Sequence, residues 1–190
     1  ADFSAVEYFT PTLHNHPMIY VLAYPIFESG SAERISAFRA KHEPQRAKYV
    51  PPHITLVFGV ANEHLQSISG LVEVASRQCS IFPVVFDDWI SEFDPFEKKH
   101  KVLLLCGDGQ AKVTSLHNQL YEGSHRSEFS SAHQFRAHMT VATYDKRTDL
   151  DQVDVSTVGE FPIEGKLSAL ELVRFEDGRL TTLKTVPFVA

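Results

Sequence analysis

Cysteine, positive charge and long apolar runs are all in short supply in this sequence. Only two cysteines occur in 190 residues, Cys79 and Cys106, and they form no close-spaced pair. That excludes a disulfide framework and a zinc knuckle, and both thiols are expected to be free and buried. A chain of this length needs neither device, since it can bury roughly 70% of its unfolded surface. Lys and Arg number 18 against 24 Asp and Glu, a formal charge of −6. That argues against a broad basic face for nucleic-acid backbone, but a small anion needs only local positive groups. The longest apolar stretch, from Met18 to Phe27, is too short to span a bilayer and contains Pro25. Asp2 and Glu7 near the start, with no basic lead into an apolar run, do not read as a signal peptide. The expectation is a cytoplasmic monomer with no membrane partner.

What is present is a pattern of strands and short helices. Residues 1–17 look irregular. Residues 18–27 (MIYVLAYPIF) read as a strand, 32–42 as a helix with Ile35 and Phe38 inward, and 50–60 (VPPHITLVFGV) as a strand. Asn62 is a candidate cap for a helix carrying Leu65, Ile68, Val72 and Ala75. The second half reads similarly. Strands are expected over 81–93 and 100–106. Asp108 is a candidate cap for a helix with Val113, Leu116 and Leu120 inward, followed by a strand over 135–144. Residues 145–160 read as loop. Residues 167–175 and 180–188 read as a hairpin around Glu176-Asp177-Gly178-Arg179.

This is a weak repeat of strand, helix and a second strand that carries His-x-Thr. Ile19 to His53 is 34 residues and Val102 to His138 is 36. Chance gives about 0.6 His-x-Thr tripeptides in a chain this rich in histidine, so two matches alone say little. Their context says more, because both fall in apolar strands after similar strand–helix units. Side chains alternate along a strand. His53 and Thr55 therefore share one face, as do His138 and Thr140. If the two units pack together, one cleft receives two imidazoles and two hydroxyls. That set suits phosphodiester cleavage. One imidazole takes a proton from the attacking water and the other protonates the leaving oxygen. The threonine hydroxyls donate to the non-bridging oxygens. His138 is assigned as base and His53 as acid, with the roles exchangeable.

The segments Pro51-Pro52-His53-Ile54-Thr55-Leu56 and Phe135-Arg136-Ala137-His138-Met139-Thr140-Val141 resemble the paired motifs of the 2H (two-histidine) phosphoesterase superfamily. That superfamily includes the 2′-5′ RNA ligase-like proteins and the cyclic nucleotide phosphodiesterases. The resemblance implies one bilobal α+β domain over 1–190, with two pseudo-symmetric antiparallel sheets, helices outside and a central cleft. It implies hydrolysis of a 2′,3′-cyclic nucleotide or ADP-ribose cyclic phosphate with no metal and no cofactor. RNA ends are a further class of partner. Ala137 stands where many members have proline, and Val141-Ala142-Thr143 lacks the arginine common in the ligase-like branch. Both point away from RNA-end processing.

Four more residues are candidates for substrate binding: Arg136, which shares a face with His138, the aromatic Tyr144 and Phe96 as base platforms, and Lys98 at a strand end. Trp89 is a further candidate platform, and His14-x-His16 is weak as a metal signal. Two other functions compete with the cyclic phosphodiesterase. One is a nucleotide-binding module without turnover; the other is a two-histidine metal site, which lacks a third ligand at strand spacing beside either motif.

Overall fold

The computed structural model describes residues 16–129 and 134–190. The irregular segment expected over 1–17, with His14, lies almost wholly outside the described residues. The apolar run that follows divides at Pro25. Met18–Ala23 is strand β1, and Ile26–Phe27 is a two-residue strand, β2, in a different sheet. Proline has no N–H to give to a ladder, so the single strand expected over 18–27 is two. Helix α1, Ser29–His42, buries Ile35 and Phe38 and stops before Pro44. That proline's fixed φ suits a first helical position, and a one-turn helix α2 (Pro44–Ala47) begins on it. Pro51 and Pro52 lack N–H groups too, so strand β3 is Ile54–Ala61 rather than starting at 50.

Helix α3 is Leu65–Arg77, with Ile68, Val72 and Ala75 buried as expected. Asn62 does not cap it; its side chain makes no cap bond, and it opens a separate 3₁₀ turn over 62–64. Strands β4 (Phe82–Asp94) and β5 (Lys99–Cys106) form a hairpin. Helix α4, Gln110–Leu120, is preceded by Gly109 at φ 92°, not capped by Asp108. Strand β6 is His138–Tyr144. The expected loop over 145–160 contains a one-turn helix α5 (Arg147–Leu150) and a 3₁₀ turn in which Asp154 accepts from the Ser156 N–H. Strand β7, Ile163–Leu167, was not legible, because IEGKL offers only two apolar side chains. Strands β8 (Ala169–Glu176) and β9 (Arg179–Pro187) make the expected hairpin. Asp177 and Gly178 take positive φ, 50° and 72°, at its tip, as a type I′ turn requires.

Two antiparallel sheets result, one ordered β3-β1-β8-β9 and the other β2-β7-β4-β5-β6. One contiguous core runs behind both, joining Ile19, Val21 and Leu56 of the first sheet to Leu104, Met139 and Val141 of the second. Inward residues of α1, α3 and α4 complete it, which puts those helices on the outer side. The opposite faces line the cleft, and on that of the first sheet Tyr20, Leu22, Val50, Val173 and Phe175 form a second, smaller apolar cluster. Each His-x-Thr strand is the edge of its own sheet. Each also carries a register slip just after its threonine. Leu56 falls between the pairs Leu22↔Thr55 and Val21↔Val57, and Val141 between Leu103↔Thr140 and Val102↔Ala142. Such bulges bend a strand locally. Among the described residues no helix is long and apolar enough to cross a membrane.

Candidate active site

The cleft is a cavity of about 550 Å³ lined by His53, Thr55, His138 and Thr140 together. Strand alternation places Thr140 beside His138, whereas His53 immediately precedes β3 and lines the same cavity as Thr55. Leu22 lies opposite Thr55 on β1, and Leu103 and Leu105 lie opposite Thr140 and His138 on β5.

Both imidazoles are held in the same way. His53 Nδ1 lies 2.8 Å from the Pro51 carbonyl, and His138 Nδ1 lies 2.8 Å from the Arg136 carbonyl. A carbonyl only accepts, so Nδ1 carries the proton in each ring. In the neutral tautomer each Nε2 then holds a lone pair. The carbonyl partner persists when the ring is charged, so the proton that comes and goes is the one on Nε2. Burial lowers the pKa of His53 to about 3, against the Pro51 hydrogen bond that favours the charged form; Arg46, Arg39 and His138 push further down. The influence of His138 on His53 places the two rings within electrostatic reach. Burial also lowers the pKa of His138, which is more open to solvent.

One side of the cleft is an ion network. Arg46 of α2 meets Glu97 at 3.1 Å and stands 3.9 Å from Glu43. Lys101 of β5 meets Glu97 at 2.9 Å and Asp94 at 2.7 Å. Asp94 also accepts the N–H groups of Phe96 and Glu97, at 2.8 and 3.1 Å. Burial works against its charge, but Lys101 and these N–H groups hold its carboxyl below the usual range. The β4–β5 turn is thereby pinned, and Phe96 on it faces the cavity. Deeper in, Arg39 pairs with Glu43 at 2.5 Å and donates to the Val50 carbonyl at 2.9 Å, fixing the backbone just before Pro51.

Of the other expected residues, Arg136 and Phe96 line the cavity, and Arg136 pairs with Glu92 at 2.8 Å. Tyr144 and Lys98 do not line it. The Tyr144 hydroxyl is 2.7 Å from His42 Nδ1 on α1, so the ring faces the helix layer. Lys98 sits in the β4–β5 turn at φ 54°, which breaks the strand alternation that would have aimed it. Trp89 is exposed and also lies outside the lining. Sequence reasoning missed Tyr20, Arg46, Lys101, Asp94, Glu97 and Gln110. Period-two alternation could have found Lys101, two residues from Leu103 on the strand next to the second motif. Arg46 carries no signal of its own. Among the described residues, no group of three or more His, Cys, Asp or Glu side chains could hold a metal ion.

Comparison with known proteins agrees with this architecture. The model of the 2′-5′ RNA ligase superfamily matches residues 27–179. A search of curated protein sequences found no match. Among solved structures, E. coli LigT bound to NADP+ is similar over 93% of this chain and 100% of its own, at 20% identity and a TM-score of 0.62. LigT has also been solved with 3′-AMP and with ATP. TT0787 of Thermus thermophilus is similar over 90% of this chain and 97% of its own, at 18% identity and a TM-score of 0.56. Usb1 of Kluyveromyces marxianus is similar over 90% of this chain and 98% of its own, at 10% identity and a TM-score of 0.55. At these identities the structural likeness is one of fold. The family model, by contrast, spans most of the sequence and both His-x-Thr motifs, and the chain belongs to the 2′-5′ RNA ligase superfamily, the 2H phosphoesterases.

Proposed function

We propose that the protein hydrolyses a small cyclic phosphodiester, a 2′,3′-cyclic nucleotide or ADP-ribose cyclic phosphate, by acid–base catalysis between His53 and His138 without a metal step. The observation that carries this reading is the matched tethering of the two imidazoles. Each gives its Nδ1 proton to a carbonyl two residues upstream, which leaves Nε2 of each as the exchanging site in one cavity.

The environments divide the roles. His53 is the more buried ring and stays neutral far below pH 6, so it is the base. His138 is more open to solvent, so it is the acid; the Arg136 carbonyl and Glu92 favour its charged form, against Lys101 and the Arg136 guanidinium. This reverses the assignment made from the motifs alone, which are too alike to rank the two rings. In the reaction, water attacks phosphorus and loses a proton to His53 Nε2. The bond from phosphorus to one ribose oxygen breaks, and that oxygen takes the proton from His138 Nε2. The product is a phosphomonoester. The bound phosphate's negative charge raises the pKa of both rings, which lets His138 carry its proton in the complex. Thr55 and Thr140 are placed to donate to the non-bridging oxygens.

A cavity of about 550 Å³ lies in the range of pockets that bury a single small ligand. Relatives of this fold solved with nucleotides support that class of ligand. Purified protein assayed with chelator present, against 2′,3′-cyclic nucleotides and ADP-ribose cyclic phosphate, tests the proposal. Turnover to a monoester is expected. Inactivity on all of them, with tight binding to structured RNA, would reject it.

A further inference from the structure

β3 is an edge strand, and a buried edge must find partners for its outward backbone groups. Leu56 and Phe58 lie where the register with β1 slips, and neither has a counterpart there. Helix α4 and its C-terminal residue supply both partners. His117 Nδ1 lies 2.7 Å from the Leu56 carbonyl, and the Tyr121 hydroxyl accepts the Phe58 N–H at 3.0 Å. These two side chains are one helical turn apart and share a face. α4 follows β5 in the chain and packs against α3 and β3. The second motif is tied to the same cluster. The His117 ring lies flat on Phe135, with centroids 3.8 Å apart and planes 7° apart, and Tyr121 packs on Phe129 at 4.8 Å. Phe135 immediately precedes Arg136, whose carbonyl orients His138. Leu56 immediately follows Thr55.

We infer that His117 is a positioning residue that ties the Thr55 strand to the segment orienting His138, and so sets the two motifs against each other across the cleft. His117 is 2% exposed and lies outside the cavity lining, so it acts only through these neighbours. An ordinary buried histidine would need one hydrogen bond and some packing. This one spends its N–H on the strand of one motif and its face on the approach to the other. The inference rests on the proposed acid–base reading, in which the phosphate must meet both Nε2 atoms and both hydroxyls at once.

The test compares wild type, His117→Phe, His117→Asn and Tyr121→Phe in the intact protein. The Phe variant keeps a ring for stacking and loses the donor. The Asn variant puts an amide N–H near the Nδ1 position. Each is measured for kcat and KM on 2′,3′-cyclic AMP, for the Kd of inorganic phosphate, and for thermal unfolding. His117→Phe should lose about 10–100-fold in kcat with KM within about twofold, the size of effect that small misplacement of reacting groups produces. Phosphate binding should weaken too. Asn, which keeps a donor but loses the ring face on Phe135, should lose kcat and phosphate affinity in the same way, and Tyr121→Phe should show a smaller loss of the same kind. Wild-type kcat and phosphate affinity in folded His117→Phe would overturn the inference, as would wild-type values in folded His117→Asn. If His117→Phe does not fold, Tyr121→Phe decides by the same two readouts. If wild type hydrolyses no cyclic phosphodiester, the proposed activity fails, and the phosphate affinities still decide the role of His117.

Discussion

At the scale of single residues, a carbonyl stands behind each histidine. It fixes the tautomer and leaves one nitrogen to exchange protons, which is what the proposed pairing of the two rings requires. His53→Ala and His138→Ala should each lose about 10²–10⁴-fold in kcat, and steady-state kinetics on the double variant should show little further loss, because groups acting as a unit are not additive. Multiplicative losses would mean independent roles. Thr55→Ala and Thr140→Ala should cost about 10–10³-fold, as the loss of one oxyanion donor does, and Ser should restore much of it. Equal damage from Ser and Ala would indicate packing by the methyl group. The four motif residues could be read in the sequence because alternation along a strand fixes which side chains share a face. Arg46, Lys101, Asp94 and Glu97 could not. A charged side chain in a sequence looks solvated, and only the fold shows that these four meet in a cleft and neutralise one another.

At the scale of elements, the strands and long helices follow from apolar periodicity, and their ends from backbone chemistry that periodicity does not register. Pro25 splits one apolar run between two sheets. Pro51 and Pro52 delay the start of β3 to Ile54 and leave the Pro51 carbonyl free to accept from His53. β7 hides because Gly165 stands at its centre, close against the Phe27 ring. Residues 145–160 hide short helices because each is a single turn. At the start of α4 the Asp108-Gly109 pair misled in a specific way. Asp is a good cap in general, but the chain turns through φ 92° at Gly109, and a Cβ there would stand 2.6 Å from the Pro83 carbonyl oxygen. Gly109→Ala should therefore destabilise the fold by more than about 1 kcal/mol, through left-handed strain and that clash. Urea denaturation measures it; an unchanged midpoint would contradict the geometry.

At the scale of the molecule, one core behind two sheets leaves their other faces to form the cleft, and several histidines are buried in the process. Burial lowers the pKa of His42, His53, His117 and His125, to about 3 for His53. The unfolded chain takes up these protons near the ordinary value of 6.5, and the folded chain does so only below it. Stability is therefore full above pH 6.5 and is lost as pH falls through the window beneath it. Each such histidine contributes at most about 1.4 kcal/mol per pH unit. The urea midpoint should fall between pH 7.5 and 5, and His53→Asn should flatten that slope; an equal slope in the variant would put His53 outside the account. The same lowered pKa values bear on catalysis, and the most direct measurement is the pH dependence of kcat/KM on a 2′,3′-cyclic nucleotide with chelator present. Because kcat/KM reports the free enzyme, the account predicts a bell whose alkaline limb, set by His138, lies below 6.5. His138→Ala should remove that limb and do little harm to an aryl phosphodiester, whose leaving group needs no proton. A rate that climbs steadily to high pH, disappears with chelator and returns with a divalent ion would contradict the two-histidine mechanism outright.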